Sequence, residues 1–169
     1  CMGWLPYLII FYPGSVPHDG YNQLNQYFEI WDRSNAHPYF STMVIGFFVQ
    51  IGRHVSDNFG VFVFVAVQSL ICAAVYALVC RKIAEWELPL WMPLAAMAFY
   101  ALVPMWGAYA QALAKDTLYY AFFALFVVYT IEIYRKRDNV PWAAVVLLAL
   151  SGLLVSLFRN NGIYMVIPA

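Results

Sequence analysis

The chain has 169 residues, of which 64% are hydrophobic and only 11% charged, and its formal net charge is zero. Ordinary globular chains run at about 45–50% apolar and about 25% charged, so the polar residues needed to coat a water-facing surface are missing. A soluble domain is excluded, the balanced charge leaves no electrostatic footprint for nucleic acid, and the composition predicts an all-α, lipid-exposed protein.

The first stretch, residues 1–17, carries no formal charge and supplies a partial span over about 1–12. No basic stretch precedes it and no small-residue cleavage site follows it, so it is not a signal peptide. Cys1, Cys72 and Cys80 form no ligand pair. On one helix Cys72 and Cys80 stand about 12 Å apart, too far for a disulfide, and all three read as small packing residues. The chain opens on Cys1 and stops at Ala169 inside an apolar segment that starts near Ile163. It therefore reads as one piece, residues 1–169, of a larger multi-span domain.

A polar loop follows over 13–58. It begins Pro13-Gly14-Ser15-Val16-Pro17-His18-Asp19-Gly20, where two prolines and two glycines predict a rigid turn that holds Asp19 beside the membrane. The plainer alternative is that Asp19-Gly20 is a turn dipeptide and nothing more. Within this loop His37 to Gly52 is apolar over about 16 residues, short for a span, and fits an interfacial helix lying flat, with Tyr39, Phe40, Phe47 and Phe48 at headgroup level. A short true span is the competing possibility.

Four further spans are predicted at about 59–80, 90–107, 117–134 and 141–158, each near the roughly 20 helical residues that cross a bilayer. Pro93 and Pro104 kink the second of these, and Pro141 sits where a first-turn proline costs nothing. Arg81 and Lys82 follow one span, and Arg135, Lys136 and Arg137 follow another, so by the positive-inside rule those loops face the cytoplasm. The loop 13–58 and the turns at 108–116 and 158–162 then face outward.

Those outer connections hold three polar groupings. Asp19 stands in the first, with Asn22 and Gln23 close behind. Lys115-Asp116 opens the span at 117–134, where Asp116 is either an N-cap or a functional carboxylate and Lys115 either snorkels or binds an anion. Arg159-Asn160-Asn161-Gly162 closes the last span, and an arginine there runs against the positive-inside trend. Together they offer carboxylates, cations and amides at one membrane face. That combination suits transfer from a phosphate leaving group to a hydroxyl: a carboxylate takes the proton or holds an ion, and Lys and Arg balance the charge growing on phosphate. Oxygen ligands from Asp19 and Asp116 would suit Mg²⁺ or Mn²⁺.

An Asp after the first span, a His-Pro pair (His37-Pro38) opening a juxtamembrane helix, Lys115-Asp116 starting the fourth span and Arg159-Asn160-Asn161-Gly162 ending the fifth resemble, in order and sidedness, the GT-C superfamily of integral-membrane glycosyltransferases. The likeness is to the protein mannosyltransferase and aminoarabinose transferase branch, and more closely to uncharacterised bacterial membrane proteins related to it. It implies a helical GT-C bundle in a bacterial plasma membrane, with a site facing outward and a polyprenyl-phosphate sugar as donor. By the same resemblance Asp19 is the catalytic base or metal ligand and Asp116 the second acidic residue. Lys115 and Arg159 hold the lipid phosphate, and His37, Gln23 and Asn160 line the cavity. Two departures stand out. Gly20 follows Asp19 where relatives often carry another acid, and Tyr39 follows His37-Pro38 where a second proline is common.

Two other classes fit the composition. In a lipid or solute transporter Asp19, Asp116 and Arg159 would line a pathway, but such charges usually sit near the bilayer midplane, whereas formal charge is absent from the span interiors. A non-catalytic assembly subunit would use Tyr21, Tyr27, Phe28 and Trp31 as a protein-binding surface.

Overall fold

A computed structural model describes residues 2–137 and 139–167. Cys1, Pro168 and Ala169 lie outside the described residues. The chain is all-helical, with no β-strand among the described residues and one isolated parallel bridge, Ser15 to Ala112. In chain order the helices are α1 (Leu5–Ile10), α2 (His18–Tyr27), α3 (Tyr39–Arg53), α4 (Asp57–Ala84), α5 (Trp91–Leu102), α6 (Pro104–Ala110), α7 (Lys115–Arg135), α8 (Trp142–Phe158) and α9 (Ile163–Val166).

Two of these, α4 and α7, are long and apolar enough to cross a membrane. The pair α5 and α6 qualifies jointly as a third, bent by 51°. The bend follows from sequence: Pro104 has no N–H to give, and Val103 before it is extended (φ −67°, ψ 122°), which ends α5. The 17-residue α8 is apolar and shorter, and α1 has only six residues. Ser56 starts α4 by accepting a hydrogen bond from the Phe59 amide at 3.0 Å, and Arg81 and Lys82 in its last turn complement the negative end of the helix dipole.

The helices α4 and α7 run in the same direction, since Cys72 meets the Thr117 carbonyl while Lys82 meets Glu132. Helix α8 returns beside α7 and brings Arg159 back to Asp116. The basic turns after α4 and α7 therefore lie at one end of the bundle, and the starts of α7 and end of α8 at the other. Helix α4 begins well before the level of α7, and α3 packs on that overhang. Gly52 and Gly60 make this possible: a Cβ on Gly52 would stand 2.6 Å from the Gly60 Cα, so only hydrogens fit where the two helices meet. The core is formed by Phe64, Val65, Cys72, Tyr76 and Val79 of α4 against Leu118, Ala121, Phe122 and Leu125 of α7, with Val155 and Phe158 of α8.

One expectation fails. Asp19-Gly20 is not a turn but the first turn of α2, which starts after the extended Pro17. Gly20 is needed for contact, not for turning: its backbone lies against the Leu113 carbonyl, where a Cβ would collide.

Candidate functional site at the start of helix α7

The segment before α7 is held from both sides. Ser15 donates its amide to the Gln111 carbonyl at 3.2 Å and accepts from the Leu113 amide at 2.8 Å. Its amide and hydroxyl also donate to Gln111 Oε1, at 2.9 and 2.6 Å. From α4, Gln68 Nε2 donates to the Ala112 carbonyl at 2.7 Å and the Ser69 hydroxyl to the Ala110 carbonyl at 2.9 Å. These bonds satisfy carbonyls that an interrupted backbone leaves bare in an apolar interior. They also fix α2 beside the start of α7, which brings Asp19 to Lys115.

Lys115 is the first residue of α7 and only 8% exposed. Both facts oppose its charge, since a helix start is the positive end of the dipole and burial strips water from an ammonium. Two partners offset this. Asp19 Oδ2 lies 3.4 Å from Nζ, and His37 Nδ1 lies 2.6 Å from it. The ammonium has only hydrogens to give, so Nδ1 accepts and Nε2 carries the imidazole proton. Burial, then the Lys115 charge, lowers the His37 pKa from its ordinary 6.5, against the opposing pull of Asp19 and Asp116. Asp19 itself remains open to solvent, its side chain 56% exposed.

Asp116, the next residue, faces a second cation. Arg159 stands 3.9 Å from Asp116 Oδ1, too far for a hydrogen bond, and its guanidinium lies over the Tyr119 ring at 5.2 Å. Asp116 Oδ1 is itself shielded from solvent without a hydrogen-bond partner. Neighbouring residues on a helix do not share a face, so Lys115 and Asp116 form two half-sites on either flank of the first turn of α7. Asp116 is still near enough to His37 to act on its charge.

The predicted cavity-lining residues divide. His37 belongs to the cluster. Gln23 is fully buried between α2 and α3, where Nε2 donates to the Ser41 and Thr42 hydroxyls at 3.0 and 3.2 Å, and it packs rather than lining an open cavity. Asn160 Nδ2 donates to the Asn35 carbonyl at 3.0 Å and pins the end of α8 to the α2–α3 connection. A larger cavity of about 510 Å³ lies elsewhere, between α4 and α5, and is lined by apolar side chains such as Tyr76, Leu94 and Tyr100.

As metal ligands Asp19 and Asp116 form an incomplete set. Each is faced by its own cation, and among the described residues no three His, Cys, Asp or Glu side chains are grouped to hold an ion. A hard divalent cation draws on six or more oxygens, with water and substrate supplying the balance.

Residues that composition and spacing did not single out are Ser15, Gln68 and Gln111, which position the site, and Tyr119, which cradles Arg159. Gln68 alone had a visible signal, an amide inside the otherwise apolar run 59–80. No curated protein and no solved structure matches the chain. A family model matches residues 33–169, a stretch that includes His37, Lys115, Asp116 and Arg159 but not Asp19, and the chain belongs to that family, a family of unknown function (DUF6020).

Proposed function

We propose that the protein is a membrane glycosyltransferase of GT-C type, moving a sugar from a polyprenyl phosphate to an acceptor hydroxyl on the outer face of a bacterial plasma membrane. The observation that carries this is Lys115: a buried ammonium at the wrong end of a helix dipole, next to Asp19 and His37 from 96 and 78 residues away in sequence. A protein gains little stability from such a placement. An anion arriving at Lys115 would repay it, since that ammonium and the helix start both attract phosphate.

The chemistry follows from the positions. Asp19, exposed at the rim, takes the proton of the acceptor hydroxyl. The acceptor oxygen bonds to the anomeric carbon on the face opposite the lipid phosphate, and the bond from that carbon to the phosphate oxygen breaks, its electron pair leaving on the phosphate. Lys115 and Arg159 balance the charge that develops there. Inversion at the anomeric centre is the expected stereochemical outcome. Asp116 keeps Arg159 directed at the site while staying far enough away for a phosphate oxygen to displace it.

The test is photocrosslinking in membranes with a diazirine-bearing polyprenyl phosphate. Label on peptides containing Lys115 or Arg159, competed by unlabelled polyprenyl phosphate, supports the assignment. Label confined to exposed apolar residues of the helices, such as Leu70 or Leu150, overturns it.

A further inference from the structure

We infer that a small polar pocket beside His37 is a sugar-ring subsite, and that its lining selects a neutral sugar over a positively charged amino sugar. The inference rests on the transferase proposal for its setting, since the pocket adjoins the Lys115 cluster through His37. It is bounded by the α2–α3 connection and the first turn of α3, with Arg33, Ser34, Asn35, His37, Tyr39 and Thr42 on its walls and a volume of about 90 Å³. By the roughly 30 Å³ that a water occupies in liquid, this holds about three waters' worth of ligand, which fits one edge of a sugar ring.

Part of the lining is fixed in place. Thr42 and Gln26, which also borders the pocket, are 5% and 8% exposed. Gln26 Nε2 donates to the Ser34 hydroxyl at 3.1 Å, and Thr42 donates to the Pro38 carbonyl. Asn160 holds the Asn35 carbonyl from the end of α8, so the connection is anchored from a third side. Several groups keep hydrogen-bonding capacity: the Asn35 amide can give and take, the Ser34 hydroxyl has its proton to donate, and His37 has its Nε2–H. Mixed donors and acceptors beside an aromatic face, here Tyr39, match the hydroxyls and the apolar C–H face of a sugar.

Charge supplies the selectivity. Among the described residues no Asp or Glu lines the pocket, while Arg33 does, its guanidinium 5.6 Å from the centre of the Tyr39 ring. Glu29 holds Arg33 from its exposed side at 3.3 Å without lining the pocket. A sugar ammonium entering here would meet the face of a guanidinium whose Glu29 partner lies outside the pocket, and an imidazole N–H, with no carboxylate on the walls to receive it, an arrangement that disfavours a cationic ligand.

The experiment is saturation-transfer NMR on the protein in lipid nanodiscs, with methyl α-mannoside and methyl 4-amino-4-deoxyarabinoside as probes. The neutral glycoside should bind, and the amino glycoside about ten-fold more weakly near neutral pH, the order expected of one like-charge contact close to a surface. Arg33→Glu, on an exposed side chain, should narrow or reverse that ratio. Met43 also borders the pocket, so Met43→Trp, which adds bulk there, should remove the neutral signal. Equal binding of both probes to the unmodified protein overturns the inference, as does neutral binding that survives Met43→Trp in a protein whose melting is unchanged. Asp19→Asn separates the two proposals: loss of sugar transfer with glycoside binding intact supports both. Binding without transfer by any donor keeps the subsite and removes the transferase, and transfer without pocket-dependent binding does the reverse.

Discussion

The two ends of the bundle hold similar charged side chains to opposite effect. At the end where α4 and α7 finish, Glu132 is 1% exposed and fully engaged: Trp86 Nε1 donates to it at 2.6 Å, Lys136 lies at 3.0 Å and Lys82 at 3.5 Å. Lys82 also reaches Glu85 at 2.6 Å, which lowers the Glu85 pKa, and Arg135 closes the group by donating to the Trp86 carbonyl at 3.1 Å. At the other end the ion-pair distances are 3.4 and 3.9 Å, Asp19 is open to solvent and Asp116 Oδ1 lacks a hydrogen-bond partner. A closed network specifies structure, whereas one with unused capacity has room for a ligand. Burial alone therefore does not distinguish the two ends; completeness of pairing does, and the incompletely paired end is the candidate site.

The comparison breaks first at Asp19. Asp19→Asn keeps an oxygen for Lys115 and removes the base, so sugar transfer from a polyprenyl-phosphate donor should fall by roughly 10²–10⁴-fold. Because Asp19 is exposed, melting should move little, by under about 1 kcal/mol. Turnover near that of the unmodified protein would place the base elsewhere. Glu132→Gln should do the opposite. It keeps the acceptor for Trp86 but strips the charge from between two lysines, with a loss of roughly 3 kcal/mol, the low end for breaking a buried pair because Lys136 is half exposed. Thermal unfolding in detergent would show it, with transfer per folded molecule retained. An unchanged melting temperature would make the two ends alike.

How much of this was legible depended on whether a residue's partner was local. The run 59–80 lies within α4, 117–134 within α7, and 141–158 coincides with α8 except for Pro141 just ahead of it, because long apolar runs nearly free of charge favour a helix that satisfies its own backbone. The bend in 90–107 was announced by Pro104, and the apolar stretch 37–52 is closely followed by α3. Helix α2 was hidden, since Pro13, Gly14, Pro17 and Gly20 outweigh the weak helical preference of a stretch rich in Asn and Gln, and it has few apolar residues to mark a face. What makes it a helix is tertiary: Gly20 against Leu113, and Gln23 against Ser41 and Thr42. At the site, the residue types Asp19, Lys115, Asp116 and Arg159 stood out by position and sign. Their pairing did not, because Ser15 finds Gln111 across 96 residues and no local pattern encodes that. The resemblance places Gln23 in the cavity, whereas tertiary contact buries it between α2 and α3.

The incomplete pairing at Arg159 gives a smaller and sharper test. Arg159→Gln removes the guanidinium but keeps an amide beside Tyr119, so it should raise KM for the lipid-phosphate donor by about ten-fold, the order of one lost charged hydrogen bond, and leave KM for the acceptor unchanged. A fall in kcat with donor KM unaltered would place Arg159 away from the phosphate.

The smallest effect distinguishes the two ends by pH. His37 is held neutral by burial and by the Lys115 ammonium, so its folded pKa lies below the ordinary 6.5. Between those two values the unfolded chain binds a proton that the folded chain does not. The His37 contribution to stability is therefore complete above 6.5 and lost as pH falls toward the folded pKa. Melting followed from about pH 7.5 to about 5.5 should decline less steeply in His37→Gln, whose amide oxygen can still accept from Lys115. Equal slopes would mean that His37 titrates as it does in the unfolded chain. The same protonation acts on the site, because an imidazolium has no lone pair for Lys115 and repels it. Acid should therefore loosen the hold on Lys115, and the donor KM should rise over the same pH window in the unmodified protein more than in His37→Gln.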